Sequence, residues 1–390
     1  MKHLKILVFE AASAGLFKIE KANLSIISEG LTMLSALTKD LIKAGYKTSV
    51  VLNKNLIDYF NVKAEVFKVE KLNFFFLKRI AKNHDFTYVI APETNNMLSK
   101  ILEELEGLHL NSSIEAVKLT SNKKALAAIL KEKGLNTPRI FNQESLRDLN
   151  FPLIVKPCLS SGCEGLKIIK NLKELKQALS LLKNNVIIQE FIKGVPASVS
   201  LISNGLKVKA LSLNRQFIKF NNSEYLGGFT PFNHKLKFEA LKAAEKTVKA
   251  FKGLKGYIGV DLMLSKNGPY IIEVNPRLTV SYAGLSKTSK FNLAKLIIAS
   301  SLGENAEVKL NFKSSCFFRK TLFKNLTTKE FTWKTTCLKE FLTPPIGGFK
   351  KFNEGYGFIA VMANNIFEAE KKYFDLIKKI SNEVKAVYKW

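Results

Sequence analysis

Apolar and polar residues over roughly the first 110 positions form a pattern that predicts strands and helices in alternation. Short β-branched or apolar runs predict strands, and apolar residues three or four positions apart predict amphipathic helices. The predicted strands are residues 5–10, 47–52 and 88–92, and the predicted helices are residues 25–44, 73–83 and 95–106. This order indicates a small parallel sheet covered by helices, with residues 11–15 as the loop where such sheets bind ligands.

The pattern changes after about residue 111, where strands begin to outnumber helices. A helix over 122–133 ends at Gly134, with Pro138 beyond it as a stop signal. The elements predicted next are helices at 172–182 and 238–251, and strands at 153–156, 166–169, 186–189, 199–202, 208–212, 258–264 and 270–274. In the last segment we predict a Pro-Pro-x-Gly-Gly turn at 344–348, a strand at 356–363 and a helix at 366–384.

The predicted fold class is therefore α/β followed by α+β, beginning with a Rossmann-like domain built on a parallel sheet. We place the domains at residues 1–112, 113–305 and 306–390. The last of these is an α/β extension whose role the pattern does not define. A cap over a site and a contact between the two copies of a homodimer both fit it.

Composition argues for a globular protein away from membranes. Apolar residues make up 46% and charged residues 24%, and no apolar run approaches the roughly 20 residues that span a bilayer. The first residues resemble a signal peptide only superficially, because Lys5 and Glu10 interrupt the apolar stretch, so we expect a cytoplasmic protein. The four cysteines include no CxxC pair, which argues against a zinc site.

The formal net charge is +28, from 61 lysines and arginines against 33 acidic residues. Such a charge raises the alternative of a nucleic-acid-binding protein, which usually concentrates its basic residues on one face. Here the lysines are spread along the whole chain. We therefore favour the interpretation that the charge reflects a lysine-rich proteome combined with anionic substrates.

Four short stretches carry residues suited to chemistry. The first is Asn122-Lys123-Lys124 at a helix start, and the second is Lys156-Pro157 followed by the loop Ser160-Ser161-Gly162-Cys163-Glu164-Gly165. A lysine at a strand end can reach phosphate oxygens, and a loop of small residues can bring backbone N–H groups against them. Taken alone, the second stretch fits an ordinary hairpin equally well.

The third stretch, Gln189-Glu190-Phe191-Ile192, fits a strand end that presents main-chain groups to a purine. The fourth consists of Asp261 and of Glu273-x-Asn275-Pro276-Arg277 on the next strand. Antiparallel pairing would place Asp261 opposite Glu273 and Asn275, whose side chains share one face. Two carboxylates and an amide oxygen suit Mg²⁺ bound with nucleotide phosphates, and Arg277 could bind a phosphoryl oxygen.

In this order the four stretches resemble the ATP-grasp superfamily over roughly residues 1–305. The resemblance implies an ATP-grasp fold with ATP and Mg²⁺ (or Mn²⁺) as cofactors, and a metal held by Asp261, Glu273 and Asn275. It implies nucleotide contacts from Lys123, Lys156, Ser160, Ser161, Gly162, Gly165, Gln189, Glu190, Phe191 and Ile192.

Two positions depart from the superfamily pattern. Pro196 stands where many members have an acidic residue that binds ribose, so Glu190 or Ser198 would have to replace it. Gly259 stands where D-alanine–D-alanine ligases have an arginine, which shifts the anion-stabilising role to Arg215 or Arg277. The expected catalytic residues are Arg277, Lys156 and Arg215.

A narrower resemblance, to the tyramine–L-glutamate ligases of methanofuran biosynthesis and their ATP-grasp relatives, rests on five stretches. They are Phe9-Glu10, Ser28-Glu29-Gly30-x-x-Met33-Leu34, Gln189-Glu190-Phe191 with Gly194-x-Pro196-x-Ser198-Val199-Ser200, Leu213-Asn214-Arg215-Gln216, and Asn275-Pro276-Arg277-Leu278-Thr279. This resemblance implies ADP-forming synthesis of an amide from a small carboxylate and a small amine, with L-glutamate and tyramine as candidates. Three alternatives stay open: a different ATP-grasp amino-acid ligase, a nucleotide-binding regulator without turnover, and a basic nucleic-acid-binding protein.

Overall fold

The computed structural model describes residues 4–142, 149–160, 162, 164–182, 186–220, 223–305, 309–324, 326, 338–347 and 354–384. Within these ranges no helix is both long enough and apolar enough to cross a membrane. The strands of the described ranges form three sheets.

The amino-terminal strands are β1 (Lys5–Glu10), β2 (Lys47–Asn53), β3 (Glu65–Val69) and β4 (Phe86–Ile90). They pair in parallel in the order β3-β2-β1-β4. Helices α1 (Leu24–Lys43), α2 (Phe74–Ala81) and α3 (Met97–Glu104) pack on the two faces of this sheet. The predicted parallel sheet is confirmed. The pattern missed β3, because charged residues interrupt its short apolar run.

A second, antiparallel sheet follows, with the strand order β5-β8-β6-β7. Its elements and the helices before it are α4 (Ile114–Ser121), α5 (Lys123–Glu132), β5 (Ile140–Phe141), β6 (Leu153–Pro157), β7 (Lys167–Ile169), α6 (Leu172–Leu182) and β8 (Val186–Glu190). Asn122 begins α5, since its Oδ1 accepts the backbone N–H groups of Lys124 and Ala125 at 3.0 and 3.2 Å. The apolar sides of β6, β8 and α6 form the core of this unit.

The third sheet is antiparallel and has eight strands. They are β9 (Gly194–Asn204), β10 (Val208–Lys219), β11 (Glu224–Thr230), β12 (Lys255–Ser265), β13 (Gly268–Asn275), β14 (Ser315–Lys324), β15 (Phe341–Ile346) and β16 (Glu354–Ala363), in the order β13-β12-β9-β10-β11-β14-β16-β15. Helices α7 (Lys237–Lys249), α8 (Ser281–Thr288), α9 (Leu293–Ser301) and α10 (Ile366–Val384) pack on it. Strands β14 to β16 thus continue the sheet of the preceding segment, while the domain boundaries proposed above stay predictions.

The predicted turn at 344–348 is wrong for the residues that the structure describes. Pro344 and Pro345 lie inside β15 rather than in a turn. The strand is at the edge of the eight-stranded sheet, where proline is tolerated because only one neighbour needs backbone hydrogen bonds.

Helix α1 joins the first sheet to the third. Its Leu31 and Leu34 share an apolar core with Phe318 of β14 and Phe358 of β16. The hydroxyl groups of Thr32 and Thr343 lie 2.7 Å apart, which ties the helix to β15. The carboxy-terminal strands therefore hold α1 in place over the eight-stranded sheet.

Candidate active site

Residues of both antiparallel sheets line one cleft, which encloses about 1320 Å³ of empty space, counting its open mouth. A concave site between two sheets, with a few polar groups converging on a largely apolar wall, is typical of small-molecule binding. Among the residues predicted from sequence, the cleft is lined by Lys123, Lys156, Ser160, Gly162, Gln189, Glu190, Phe191, Ile192, Asp261, Glu273, Asn275 and Arg277. The structure therefore brings all four stretches to one place.

The acidic face is formed by β12 and β13. The antiparallel register puts Asp261 directly opposite Glu273, and Gly259 opposite Asn275, so the three polar side chains share a face as the period of two predicts. The Asn275 amide donates to Asp261 Oδ2 at 3.2 Å, and the Gln216 amide donates to Asp261 Oδ1 at 3.0 Å. Both oxygens of Asp261 are thus oriented before any ligand arrives.

Electrostatics mark Asp261 as a carboxyl group whose charged form is disfavoured in the cleft. Burial, and then repulsion by Glu273, raise the pKa of the Asp261 carboxyl to about 7, although Asn275, Gln216 and Arg277 act in the opposite direction. A divalent cation between the two carboxylates would remove this repulsion. In the described part of the chain, no group of three or more His, Cys, Asp or Glu residues converges. A cation held here would therefore need further oxygen ligands from water or phosphate.

Lys123 links the glycine-containing loop to the acidic face. Its side chain is only 4% exposed, and its ammonium group donates to the backbone oxygen of Ser160. The same Nζ lies 3.5 Å from Glu273 Oε1. The start of α5, the loop and β13 are therefore held together at one point of the cleft.

Lys156 reaches the cleft from the end of β6 and is 5% exposed. We expect Lys156→Ala to raise the Kd for ATP by about 10- to 150-fold, because it removes a charge-assisted phosphate contact of about 1.5–3 kcal/mol. Titration calorimetry measures this value, with Lys124→Ala as the control, since Lys124 is exposed and is not part of the cleft wall. Equal ATP affinities in the two variants would show that Lys156 is only structural.

The hinge between the two antiparallel sheets lies where β8 ends. The Glu190 N–H donates to Arg139 O at 2.8 Å, and Glu190 Oε2 accepts the Arg139 N–H at 3.2 Å. Phe191 and Ile192 lie between the end of β8 and the start of β9, outside both strands, and line the cleft. Backbone groups at this point can form hydrogen bonds with the edge of a purine, while the two side chains pack against the face of its ring.

Arg277 is held from the amino-terminal segment. One Nη of its guanidinium lies 2.8 Å from Glu93 Oε2, and the other donates to Leu278 O at 3.1 Å. Burial lowers the pKa of Arg277, but Glu93, Glu273 and Asp261 together outweigh burial and raise it, so the group stays charged. Among the described residues, Arg277 Nε and Glu93 Oε1 are buried without a hydrogen-bond partner. A buried pair with spare polar atoms is suited to receive a ligand oxygen.

The structure places Arg215 away from the cleft. It is absent from the cleft wall, whereas its neighbour Gln216 lines the cleft, because adjacent residues of a strand face opposite sides. The guanidinium lies over the rings of Phe217 and Phe232, 5.4 and 6.0 Å from their centroids. This placement favours Arg277 over Arg215 for the anion-stabilising role, and a catalytic role for Arg215 stays an untested prediction.

Three further expectations for loops differ from the structure or lie outside it. Gly165 is not part of the cleft wall and packs on Pro157, where an added Cβ would lie 2.9 Å from the proline ring. Ser161 lies outside the described residues. The loop 11–15 does not present free amides to a ligand, since the N–H groups of Ala12 and Ser13 donate to the Glu10 carboxylate at 3.0 and 2.6 Å.

Sequence reasoning missed several residues that shape the cleft. Gln216 and Tyr225 line it from β10 and β11, and Glu29 lines it from α1. Gln216 and Glu29 do occur in the stretches that carry the narrower resemblance, but nothing local assigned them a role. Glu93 could not be found from sequence, because its link to Arg277 joins residues 184 positions apart.

Comparison with known proteins places this geometry in a family. Residues 120–281 match the model of the ATP-grasp domain, and residues 46–117 match that of the pre ATP-grasp 3 domain. The chain is 34% identical over 322 residues to tyramine–L-glutamate ligase of Methanocaldococcus jannaschii, covering 80% of this chain and 93% of that protein. This chain belongs to the ATP-grasp family.

Two further comparisons agree with this assignment. Tyramine–L-glutamate ligase of Methanocaldococcus fervens is 33% identical over 316 residues, which cover 79% of this chain and 98% of that protein. The N5-carboxyaminoimidazole synthetase of Staphylococcus aureus, solved with ADP, has a TM-score of 0.70 at 15% identity and covers 97% of each chain, which supports the fold. The ATP-grasp chain is thus an ATP-dependent ligase that joins a carboxylate to an amine.

Proposed function

We propose that this ATP-grasp ligase joins the γ-carboxylate of L-glutamate to the amine of tyramine, with release of ADP and phosphate. The observation that carries the proposal is the 34% identity to a tyramine–L-glutamate ligase over 80% of the chain. Its site residues are those of the cleft described above, with Arg277 favoured over Arg215. We further propose Mg²⁺ (or Mn²⁺) at Asp261, Glu273 and Asn275.

The metal proposal is supported by the chemistry of the acidic face. Two carboxylates opposite each other and a raised pKa at Asp261 are the features of a site that a divalent cation stabilises. Oxygen ligands favour Mg²⁺ or Mn²⁺ over zinc. When bound, the cation supplies charge neutralisation for the β- and γ-phosphates.

The reaction needs activation, because an amine cannot displace oxide from a carboxylate. The carboxylate oxygen attacks the γ-phosphorus, ADP leaves, and an acyl phosphate forms. The amine then attacks the carbonyl carbon, and phosphate leaves with the electrons of the C–O bond while the amine loses a proton. Lys123 and Lys156 would neutralise the phosphates, and Arg277 would stabilise the charge on the phosphoryl and tetrahedral oxygens. No covalent nucleophile is required.

The wall of the cleft beside β10 and β11 is apolar and aromatic, as the ring of tyramine requires. Ile218, Phe220 and Tyr225 line this side, so an aromatic ring can pack there. A pocket that also hydrogen-bonds the phenol hydroxyl would reject phenethylamine strongly, because a buried polar group of the protein would lose its partner.

The experiment is ADP release with glutamate fixed and amines varied, followed by mass detection of the product. We expect γ-glutamyltyramine, ADP and phosphate in equal amounts, with phenethylamine a much poorer acceptor than tyramine. AMP and pyrophosphate as products would refute the phosphoryl-transfer mechanism. Turnover with an amino acid but not with tyramine would refute the substrate assignment and leave the ligase class intact.

A further inference from the structure

One acidic side chain of the cleft comes from the amino-terminal helix. Glu29 lies in the first half of α1 and lines the cleft, with 24% of its side chain exposed. The next residue is Gly30, where an added Cβ would lie 2.3 Å from Glu10 Oε2. Glycine at this position therefore lets α1 lie close against the end of β1.

The Glu29 carboxylate is held by a buried lysine of β14. Lys320 Nζ lies 2.9 Å from Glu29 Oε1 and donates to Ser25 Oγ at 2.6 Å. Its side chain is 2% exposed, and Glu224 Oε1 is a second carboxylate 3.5 Å away. Burial lowers the pKa of Lys320, but Glu29, Glu224 and Tyr356 together outweigh burial and raise it, so the lysine stays charged.

The charges of this group do not balance. Two carboxylates face one ammonium group, which leaves one negative charge, and Glu29 is the member of the pair that reaches the cleft. Lys320 contacts Oε1 and restricts the side chain, and among the residues that the structure describes none is bonded to Oε2, which is left for a ligand. A fixed carboxylate in a partly desolvated cleft is the ordinary partner of a primary ammonium group.

The other carboxylates of the cleft already have roles. Asp261 and Glu273 form the acidic face, Glu190 accepts the Arg139 N–H at the hinge, and Glu164 accepts the Thr94 hydroxyl at 2.9 Å. Both proposed substrates carry a primary ammonium group in water. Such a group needs an acidic partner to enter a cleft whose phosphate end contains Lys123, Lys156 and Arg277.

We propose that Glu29, positioned by Lys320, is the subsite that binds the ammonium group of a substrate in this cleft. The inference rests on the proposed function, which supplies two candidate sources: the α-ammonium group of glutamate and the ammonium group of tyramine. The segment after residue 305 would then contribute to substrate binding, because Lys320 of β14 holds the Glu29 side chain in position.

The test compares wild-type enzyme with Glu29→Gln, Glu29→Asp and the control Glu224→Gln, measuring KM separately for ATP, glutamate and tyramine. Glu224 contacts the same lysine but does not line the cleft, so the control changes the charge around Lys320 without changing the cleft wall. We expect Glu29→Gln to raise one KM, for tyramine or for glutamate, by about 10- to 100-fold while the KM for ATP stays within about twofold. Glu29→Asp keeps the charge at a shorter reach and should fall between wild type and Glu29→Gln.

The substrate whose KM rises identifies the source of the ammonium group. Unchanged KM values for both substrates in Glu29→Gln would overturn the subsite, as would an equal rise in Glu224→Gln. If wild-type enzyme makes no γ-glutamyltyramine, the proposed function fails separately. The same variants are then compared with the acid and amine that the ADP-release panel identifies, and a KM effect there still supports the subsite.

Discussion

Replacement of Glu273 by glutamine is expected to lower kcat by about three orders of magnitude or more while the protein stays folded. The amide keeps the shape of the side chain but loses the charge that the acidic face contributes to holding a divalent cation. Loss of metal-assisted charge stabilisation costs several kcal/mol in phosphoryl transfer. The measurement is ADP release at saturating Mg²⁺, with thermal unfolding as the check on the fold.

Glu132→Gln is the matched control for this charge removal. Glu132 ends α5 and pairs with Lys133 on the surface, with 71% of its side chain exposed. Its loss should leave kcat within about twofold, since exposed ion pairs contribute little. Near-normal turnover of Glu273→Gln at saturating Mg²⁺ would contradict the assignment of the metal site.

Replacement of Arg277 by lysine is expected to lower kcat by about 100- to 1000-fold, with a much smaller change in ATP affinity. The guanidinium is planar and held by Glu93 and the Leu278 carbonyl, so it can present fixed donors to a developing oxyanion. Lysine keeps the positive charge but lacks the planar set of N–H donors of the guanidinium group. The measurement is kcat from ADP release, together with the Kd for ATP from calorimetry.

Arg215→Lys serves as the control, because the structure places Arg215 over Phe217 and Phe232 and outside the cleft. It should keep kcat within about threefold, since lysine can retain part of the contact with the rings. A loss in Arg215→Lys that matches the loss in Arg277→Lys would restore Arg215 as a catalytic residue.

Local sequence patterns predicted the helices and strands in which apolar and polar residues separate clearly onto different faces. Residues 366–384 coincide with α10, and the strands that carry Asp261 and Glu273 were placed within a few residues of β12 and β13. The structure contains strands that the pattern did not reveal, among them β11 and β14. Their pairing depends on strands far away in the chain, and the local periodicity of the sequence carries no information about such distant partners.

The candidate site divides in the same way. Asp261 and Glu273 lie on consecutive strands, so strand periodicity and antiparallel pairing were enough to group them. The choice between Arg215 and Gln216 could not, because periodicity says that they face opposite sides but not which side is the cleft. Glu29 and Glu93 enter the site only through packing of the amino-terminal segment on the eight-stranded sheet.

The most direct test of the central claim follows the carboxylate oxygen. With ¹⁸O in both oxygens of the glutamate γ-carboxylate, an acyl-phosphate mechanism predicts one labelled oxygen in the released phosphate for each amide formed. The amide should retain the other labelled oxygen, and the ADP should carry none. Unlabelled phosphate, or label recovered in AMP, would contradict the account.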